Sequence, residues 1–396
     1  MVFEDFSNGV KTQRDAWAYN FSTKKLTANM NRMMKAYNKA VDNLAGQPMD
    51  VVKQAVDYDP GQISWSEHLF NGVRRGNRAD VTSGTAASSL YRPFERSWVY
   101  FSAQFNDRRG QMPRIFPNAA ENLVIQVSGV GARAGFSALM SNRLPCLDTI
   151  EKGQCFPLYL YEETQAQAGL FSDQAGGLTR RDAITDAGLA HFQAAYPGEE
   201  IRKEDLFYYI YGLLHSPDYR ARYKNNLAKA LPRIPAVKTA TDFWAFSKAG
   251  RALGDVHVNF EHVKPYMVTF KEGDHALIHE AQNNPQKFYR VKKMKFAAKG
   301  KEKDRSSVIY NEHITLQNIP LEAYDYVVNG KPALEWVMER QVVKTDKDSG
   351  IVNDANDYAI ETIGYPRYPL DLFRRVITVS METQRIVANL PELEID

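Results

Sequence analysis

The sequence is poor in cysteine and has no long apolar run, and each shortage excludes a class of protein. Its 396 residues hold two cysteines, Cys146 and Cys155, which are too few for a disulfide framework. No run of about 18 apolar residues occurs, so no membrane span is predicted. Residues 1–15 lack the apolar segment of a signal peptide. We therefore expect a cytoplasmic protein with two small buried thiols.

Several catalytic motifs are also missing. Residues 330–332 (GKP) do not form a Walker A loop, which argues against nucleotide hydrolysis. Residues 59–62 (DPGQ) approach the tetrapeptide of adenine-amino methyltransferases but lack its second proline and its aromatic residue, and a turn explains them better. Residues 128–135 (SGVGARAG) miss the spacing of a dinucleotide fingerprint and predict a tight turn. Arg133 in that turn lies where backbone amides could also meet a phosphate.

The signals for a metal or a nuclease centre are weak. His275 and His279 have the spacing of ligands on a helix, but a third ligand is missing, so no metal site is predicted. Acidic residues stand beside lysines at 148–152 and 302–303. A diverged Mg²⁺-dependent nuclease is therefore kept as an alternative, although such neighbours are common on protein surfaces.

Hydrophobic periodicity predicts separate runs of helices and strands. Helices are predicted at 22–44 (capped by Ser22), 205–215, 219–231, 242–253 (with Thr241 as the cap), 334–340 and 370–390. Strands are predicted at 98–105, 122–128, 157–161, 264–270, 287–296, 307–311 and 313–319. Residues 47–87 predict a connector, and residues 165–188 a surface loop. This order favours an α+β fold of mixed sheets and helices with a helical N-terminal segment. We divide the chain into 1–90 and 91–396.

Basic patches are the positive signal for function, because the formal net charge is only +3. Residues 286–305 contain nine lysines and arginines against two acids, and the alternation at 287–296 predicts a strand with one cationic face. Residues 74–114 contain eight arginines against three acids. A third patch is the helix at 219–231. Any one patch is as well explained by a solvated face, but three together indicate salt-dependent, sequence-independent affinity for a polyanion.

A set of short segments carries a family resemblance. In chain order they are GVKT (9–12), RDAW (14–17), YRPFER (91–96), WVYF (98–101), MPR (112–114), GVGAR (129–133), FSAL (136–139), CFPLYLY (155–161), LHSP (214–217), PRIP (232–235), YVVNGK (326–331), WVMER (336–340) and DSGIVND (348–354). Together they resemble the C-terminal target-recognition region of Type ISP restriction–modification enzymes. Those enzymes are single polypeptides that join a nuclease, a helicase-like translocase, a helical domain, an N6-adenine methyltransferase and a target-recognition domain.

The resemblance implies a sequence-specific module that docks double-stranded DNA and presents an adenine to the neighbouring methyltransferase. No catalytic role is carried over, because the catalytic motifs of the family are missing from this chain. S-adenosylmethionine, ATP and Mg²⁺ are expected only in other domains of such an enzyme. The methyltransferase and the helicase and nuclease domains are the expected protein partners.

Candidate DNA contacts are cations in the basic patches and in the glycine-rich turn. They are Arg108, Arg109, Arg114, Arg133, Arg220, Arg222, Lys224, Lys292, Lys293 and Lys295. The segments YRPF, HSP and VNGK are interpreted as framework instead. A further alternative is a protein-docking module with little DNA contact, which the apolar stripe from Leu26 to Val41 favours because its methionines need a surface to cover them.

Overall fold

The structure is a computed structural model that describes residues 1–117, 120–163 and 177–395. Its helices are α1 Asp15–Ala18, α2 Thr23–Leu44, α3 Met49–Ala55, α4 Glu67–Arg74, α5 Met112–Ile115, α6 Asp186–Ala195, α7 Lys203–His215, α8 Pro217–Arg222, α9 Lys224–Leu227, α10 Ala240–Val258, α11 His279–Asn283, α12 Pro285–Phe288, α13 Ala333–Arg340, α14 Ala355–Asp357 and α15 Tyr368–Ala388. Short 3₁₀ turns lie at His275–Leu277 and Leu321–Tyr324, and a π turn at Tyr358–Thr362.

The strands are short and spread along the chain. They are β1 Ser7–Asn8, β2 Tyr19–Asn20, β3 Thr85–Arg92, β4 Glu95–Phe101, β5 Val124–Val127, β6 Ala138–Ser141, β7 Leu144–Pro145, β8 Gln154–Pro157, β9 Tyr159–Glu163, β10 Leu178–Asp182, β11 Thr269–Phe270, β12 Lys295–Lys299, β13 Glu302–Ile309, β14 Thr315–Gln317, β15 Val327–Val328, β16 Lys331–Pro332, β17 Val343–Thr345 and β18 Val352–Asp354.

Within the described residues, the strands form three four-stranded sheets and three two-stranded pairs. The sheets have the orders β1-β8-β5-β6, β2-β4-β3-β7 and β11-β14-β13-β12. Their pairs are antiparallel except β3 with β7, which run parallel. With the helices between these sheets, the fold is of the predicted α+β class.

Helix α2 confirms the prediction for residues 22–44. The Ser22 hydroxyl accepts a hydrogen bond from the Lys25 amide at 3.2 Å and caps the helix. Its apolar stripe is fully buried, with Met30 and Met33 at 0 % exposure in one core cluster with Phe70 and Val73 of α4. The predicted connector at 47–87 is wrong in this respect, since it contains α3 and α4. Because the chain covers its own methionines, the stripe no longer argues for an outside partner.

Helices α7 and α10 pack with their backbones in contact. A Cβ atom added at Gly250 would lie 1.8 Å from the Tyr208 carbonyl oxygen, and one added at Gly212 would lie 2.2 Å from the Phe246 carbonyl oxygen. Glycine is therefore required at both positions for the helices to approach this closely. The N-terminus of α10 is capped by the Thr239 hydroxyl rather than by the predicted Thr241.

The predicted helix at 219–231 is shorter and broken. It is replaced by α8 and α9, which meet at Tyr223. Ser216 starts α8 by accepting a hydrogen bond from the Tyr219 amide at 3.3 Å, with Pro217 in the first turn. Since Ser216 is also the C-terminal cap of the buried helix α7, the direction of α8 is fixed by the core.

The predicted strand at 287–296 and the predicted loop at 165–188 both differ from the structure. The predicted strand at 287–296 is wrong, because the segment begins in α12 and reaches a strand only at Lys295. Of the predicted loop at 165–188, residues 165–176 lie outside the described part of the chain, and the remainder contains β10 and the start of α6. The division at residue 90 stays a prediction. Position 90 lies inside β3, and β2 and β4 pair across the division.

Candidate nucleic-acid interface

A cleft of about 490 Å³ separates the glycine-rich turn from helices α8 and α9. One wall is built from small residues of the turn and Phe136, and the other from α8 and α9. We call it the arginine cleft; its lining residues are Ser128, Gly129, Ala132, Gly135, Phe136, Arg220, Ala221, Lys224, Leu227 and Ala228. The amide of Gly131 donates to the Ala228 carbonyl at 3.4 Å and ties the two walls together. The glycine-rich turn and the predicted basic helix, which are distant in sequence, therefore meet across one cleft.

Arg220 is half-buried at this cleft and has no acidic partner. Its Nε donates to the Leu214 carbonyl at 2.7 Å, and its guanidinium lies 5.7 Å from the centre of the Phe136 ring. Among the residues that the structure describes, no carboxylate forms an ion pair with it. On its inner side lie the buried rings of His215 and His257, whose pKa values are lowered by burial and by the charge of Arg220. Arg220 is thus an uncompensated cation next to neutral groups.

The glycine-rich turn holds a carboxylate in its backbone amides. Oε2 of Glu151 accepts hydrogen bonds from the amides of Arg133 and Ala134 at 2.7 and 2.9 Å, and these bonds lower the pKa of Glu151. The two amides considered for a phosphate are therefore already occupied by a side chain. The Arg133 side chain itself is 94 % exposed, with Glu151 3.5 Å from its Nε.

A second cleft, of about 590 Å³, has lysines along its mouth, and we call it the lysine cleft. Lys292 and Lys293 line it together with Lys344 and Arg340. The first two lie on the irregular segment before β12 instead of on one face of a strand, while Val291 and Met294 beside them are buried. The lining also includes four acids: Asp15, Glu95, Glu339 and Asp346. Cations and acids are thus equal in number.

Glu95 is the buried acid of the lysine cleft, with 2 % of its surface exposed. Its Oε2 lies 3.8 Å from Nε of Arg340, and neither atom makes a hydrogen bond within the described chain. Burial raises the pKa of Glu95 to about 7, although Arg340 and Arg92 act in the opposite direction. The carboxyl group is therefore partly protonated near neutral pH.

A run of contacts joins the two clefts. Asp15 lines the lysine cleft and also a small cleft that includes Asp148. Asp148 accepts a hydrogen bond from the Lys152 amide at 3.3 Å, and Lys152 Nζ donates to the Gly131 carbonyl at 2.9 Å. Gly131 in turn bonds to Ala228 in the wall of the arginine cleft. The two clefts are thus neighbours on connected parts of the molecule.

The other predicted contacts have different surroundings. Arg108 is exposed, and its backbone pairs with that of Lys11. Arg109 is half-buried over the Phe101 ring at 5.3 Å. Arg114 is held between Asp5 and Glu162, at 3.2 Å from each. Lys295 is exposed at the edge of its sheet, and Arg222 and Lys224 are exposed on α8 and α9.

The acid–lysine neighbours do not assemble into a metal centre in the part of the chain that the structure covers. There, no three His, Cys, Asp or Glu side chains come close enough together to hold a metal ion. Glu151 and Lys152 are engaged with the glycine-rich turn, as described above, and His275 is buried on a 3₁₀ turn. Both cysteines are free and buried, as expected.

Two of the segments interpreted as framework, YRPF and VNGK, contain tight turns. Phe94 in YRPF and Asn329 in VNGK adopt positive φ angles of 58° and 50° in tight turns. Asn329 also accepts a hydrogen bond from the Glu151 amide at 2.9 Å, which positions the glycine-rich turn. Sequence patterns gave no sign of Lys344 or Arg340 as cleft residues, because neither lies in a run of like charge.

Over the described residues, no helix has both the length and the apolar character that crossing a membrane requires. No individually curated protein matches the chain. Solved structures do match over its whole length. They include a nuclease-deletion mutant of the Type ISP restriction–modification enzyme LlaGI in complex with a DNA substrate mimic (34% identity, TM-score 0.82). They also include the ATP-dependent Type ISP enzyme LlaBIII bound to DNA (34%, 0.84) and a DrdV–DNA complex (31%, 0.79).

The chain corresponds to a part of each of these proteins. It covers 28%, 24% and 36% of the LlaGI, LlaBIII and DrdV chains, respectively. The model of the Type ISP C-terminal specificity domain matches residues 1–372, which is nearly the whole chain. The resemblance of the short segments is thereby confirmed: the chain belongs to the family of Type ISP C-terminal specificity domains.

Proposed function

We propose that the chain is a DNA-recognition module that binds double-stranded DNA and positions a target site for an N6-adenine methyltransferase of the same enzyme. The observation that carries this proposal is the arginine cleft. The predicted basic helix and the glycine-rich turn meet there, and among the described residues the cations that border the cleft have no acidic partner except Arg133, whose Nε lies 3.5 Å from Glu151. The DNA complexes of the similar enzymes LlaGI, LlaBIII and DrdV support the same ligand.

The cations differ in how much charge they can offer to DNA. Arg133, Arg220, Arg222 and Lys224 surround the arginine cleft and are the principal contacts of this proposal. Arg108, Lys292, Lys293 and Lys295 are exposed and form a second group. Arg109 lines neither cleft and lies over the Phe101 ring, and Arg114 is already neutralised by two carboxylates, so we expect little from either. Which residues read bases stays open, since phosphate contacts position DNA without reading it.

Other activities of such an enzyme would belong to other domains. In this proposal S-adenosylmethionine, ATP and Mg²⁺ act in the methyltransferase, translocase and nuclease domains, which are the partners of this chain in the cytoplasm. The expected result is that the chain alone neither binds S-adenosylmethionine nor hydrolyses ATP. Methyl transfer by the chain alone would contradict this division of labour.

The test is the affinity of the chain for a short random duplex, measured by fluorescence anisotropy in a salt series. Each neutralised phosphate contributes about −0.9 to the slope of log Kobs against log salt concentration, so four principal contacts predict a slope near −3 to −4. An affinity that does not fall with salt would refute the proposal. A plasmid incubated with the chain and Mg²⁺ tests the nuclease alternative, and we expect no nicking.

A further inference from the structure

We propose that the arginine cleft is a seat for one phosphate group of the DNA backbone and that Arg220 is its anchor. The inference rests on the proposed function and makes it more specific. It distinguishes Arg220 from the exposed cations around it, which bind DNA only through diffuse attraction. Three features of the cleft support it: the charge of Arg220, the shape of the cleft and the charges at its mouth.

The first feature is the uncompensated charge of Arg220. Placing a charge away from water is unfavourable unless an opposite charge or several hydrogen bonds compensate it. Arg220 has a single hydrogen bond, from Nε to Leu214, among the described residues. Two arginines of the chain that are more deeply buried are paired: Arg14 lies 3.1 Å from Asp107, and Arg96 lies 2.6 Å from Glu261. Arg220 thus has the environment of an arginine whose partner comes from outside the chain.

The second feature is the shape of the cleft. Its facing wall consists of Ser128, Gly129, Ala132, Gly135 and the Phe136 ring, whose centre lies 5.7 Å from the guanidinium. The small residues of the turn leave space beside this ring for a ligand to approach Arg220. The Nε bond to Leu214 fixes the guanidinium against the end of α7, and both terminal nitrogens have donors left over. Two parallel N–H groups on a rigid fork match the oxygens of a phosphate or a carboxylate.

The third feature, the charge at the mouth of the cleft, distinguishes a phosphate from a carboxylate. Lys224 lines the cleft, Arg222 is exposed two residues before it, and Arg133 lies on the facing turn. Two acids lie near these cations: Glu151 is occupied by the amides of the turn, and Asp218 on α8 accepts a hydrogen bond from the Leu393 amide at 3.2 Å. A ring of like charges around an uncompensated cation suits a polyanion, in which neighbouring phosphates interact with the outer cations. An isolated carboxylate of another protein would leave these cations without partners.

The experiment compares four variants of the full chain by anisotropy on one random duplex in a salt series. Arg220→Gln removes the anchor, and Arg222→Gln removes the same charge from an exposed position on the same helix. Ala221→Leu adds bulk at the cleft without changing the charge. Arg385→Gln, which removes an arginine paired with Glu382 on α15, is the control for the loss of charge as such. Circular dichroism melting of each variant checks that it is folded.

The expected result is a graded series. Arg220→Gln weakens binding about tenfold or more and makes the salt slope shallower by about one, as for a lost charge-assisted contact. Arg222→Gln weakens binding by less than about threefold, as is typical of an exposed cation. Ala221→Leu weakens binding by about fivefold or more through exclusion of the phosphate. Arg385→Gln binds like the wild type.

Several results would overturn the inference while leaving the proposed function intact. They are equal losses for Arg220→Gln and Arg222→Gln, or wild-type affinity for Ala221→Leu. If Arg220→Gln does not fold, the outcome for Ala221→Leu decides. If poly-glutamate binds in an Arg220-dependent manner while duplex affinity is independent of Arg220, the occupant is a protein carboxylate, and the inference is wrong.

A separate arm keeps the inference testable if the chain fails to bind duplex DNA. Inorganic pyrophosphate is then the probe, because a ligand that binds only the folded state raises the melting temperature. A rise in the wild type that is absent in Arg220→Gln supports an anion seat at the cleft. No rise in the wild type overturns it.

Discussion

The lysine cleft and the arginine cleft both derive from basic segments, yet their charges are balanced differently. The lysine cleft combines four cations with four acids, one of which is the buried Glu95. The arginine cleft contains Arg220 and Lys224 and no acid in its lining. By sequence the first patch is the stronger, with nine cations in twenty residues. In the folded chain the second has the larger uncompensated charge.

The difference shows that the density of cations along a sequence is a poor measure of the charge available to a ligand. The acids Asp15, Glu339 and Asp346, which share the cleft with Lys292 and Lys293, are distant from them in sequence. The effective charge of a patch is therefore decided by the tertiary fold. An arginine that the fold leaves without a partner is more informative than a run of lysines.

The largest effect is expected from separating helices α7 and α10, which hold α8 in position at the arginine cleft. Gly250→Ala places a methyl group against the Tyr208 carbonyl, so α7 and α10 must separate and α8 loses its fixed position. We expect the free energy of unfolding in urea to fall by about 3 kcal/mol. Gly177→Ala, where no atom of the described residues lies within 4 Å of the added group, is the control. It should change the stability by less than about 0.5 kcal/mol.

The next largest effect is expected in the pH dependence of stability, which Glu95 of the lysine cleft controls. The folded pKa of Glu95 is about 7, above the ordinary value of a glutamate in the unfolded chain. The folded state therefore holds a proton that the unfolded state releases, and the contribution of Glu95 to stability is lost as pH rises through 7. We expect Glu95→Gln to raise the stability by about 2 to 3 kcal/mol at pH 8 and to change it little at pH 5.

Thermal melts of Glu95→Gln at the two pH values provide the measurement. Destabilisation of equal size at both would mean that the ion pair with Arg340 outweighs the effect of burial. Because the arginine cleft has no acid in its lining, Ala221→Leu should melt with the pH dependence of the wild type.

A smaller effect is expected from the exposed lysines near the lysine cleft. Lys292→Ala combined with Lys295→Ala should weaken DNA binding about threefold to fivefold and about equally on unrelated duplexes, because phosphate contacts carry no sequence information. Anisotropy on two duplexes of different sequence is the measurement. A loss confined to one sequence would make these lysines readers of bases.

The smallest effect is expected at Arg114. Asp5 and Glu162 already balance its charge, so Arg114→Gln should change the affinity for duplex DNA by less than about twofold. A tenfold loss in the same anisotropy assay would show that DNA displaces these carboxylates. Compensation within the free chain would then be a poor guide to the contacts.

The sequence was sufficient for elements whose signals are local. The periodicity and the Ser22 cap located α2, and apolar runs located α7 and α15 with errors of a few residues at their ends. Where tertiary contacts decide, the pattern was misleading. The alternation at 287–296 is typical of a strand, but Pro285 and the Asn284 cap start a helical turn there instead.

The candidate site shows the same limit. The glycine-rich turn and the basic helix were each identified from sequence, but the cleft between them depends on the packing of α7 against α10. The carboxylates that engage Arg114 and the amides of the turn are also distant in sequence. They could therefore not be assigned from charge runs.

Hydrogen–deuterium exchange of the full chain, with and without a duplex, tests the central claim most directly because it reports on both clefts at once. We predict that peptides covering residues 128–135 and 217–229 gain protection when DNA binds, and that peptides covering 339–346 in the lysine cleft do not. Protection limited to the lysine cleft, with none at the arginine cleft, would contradict the account.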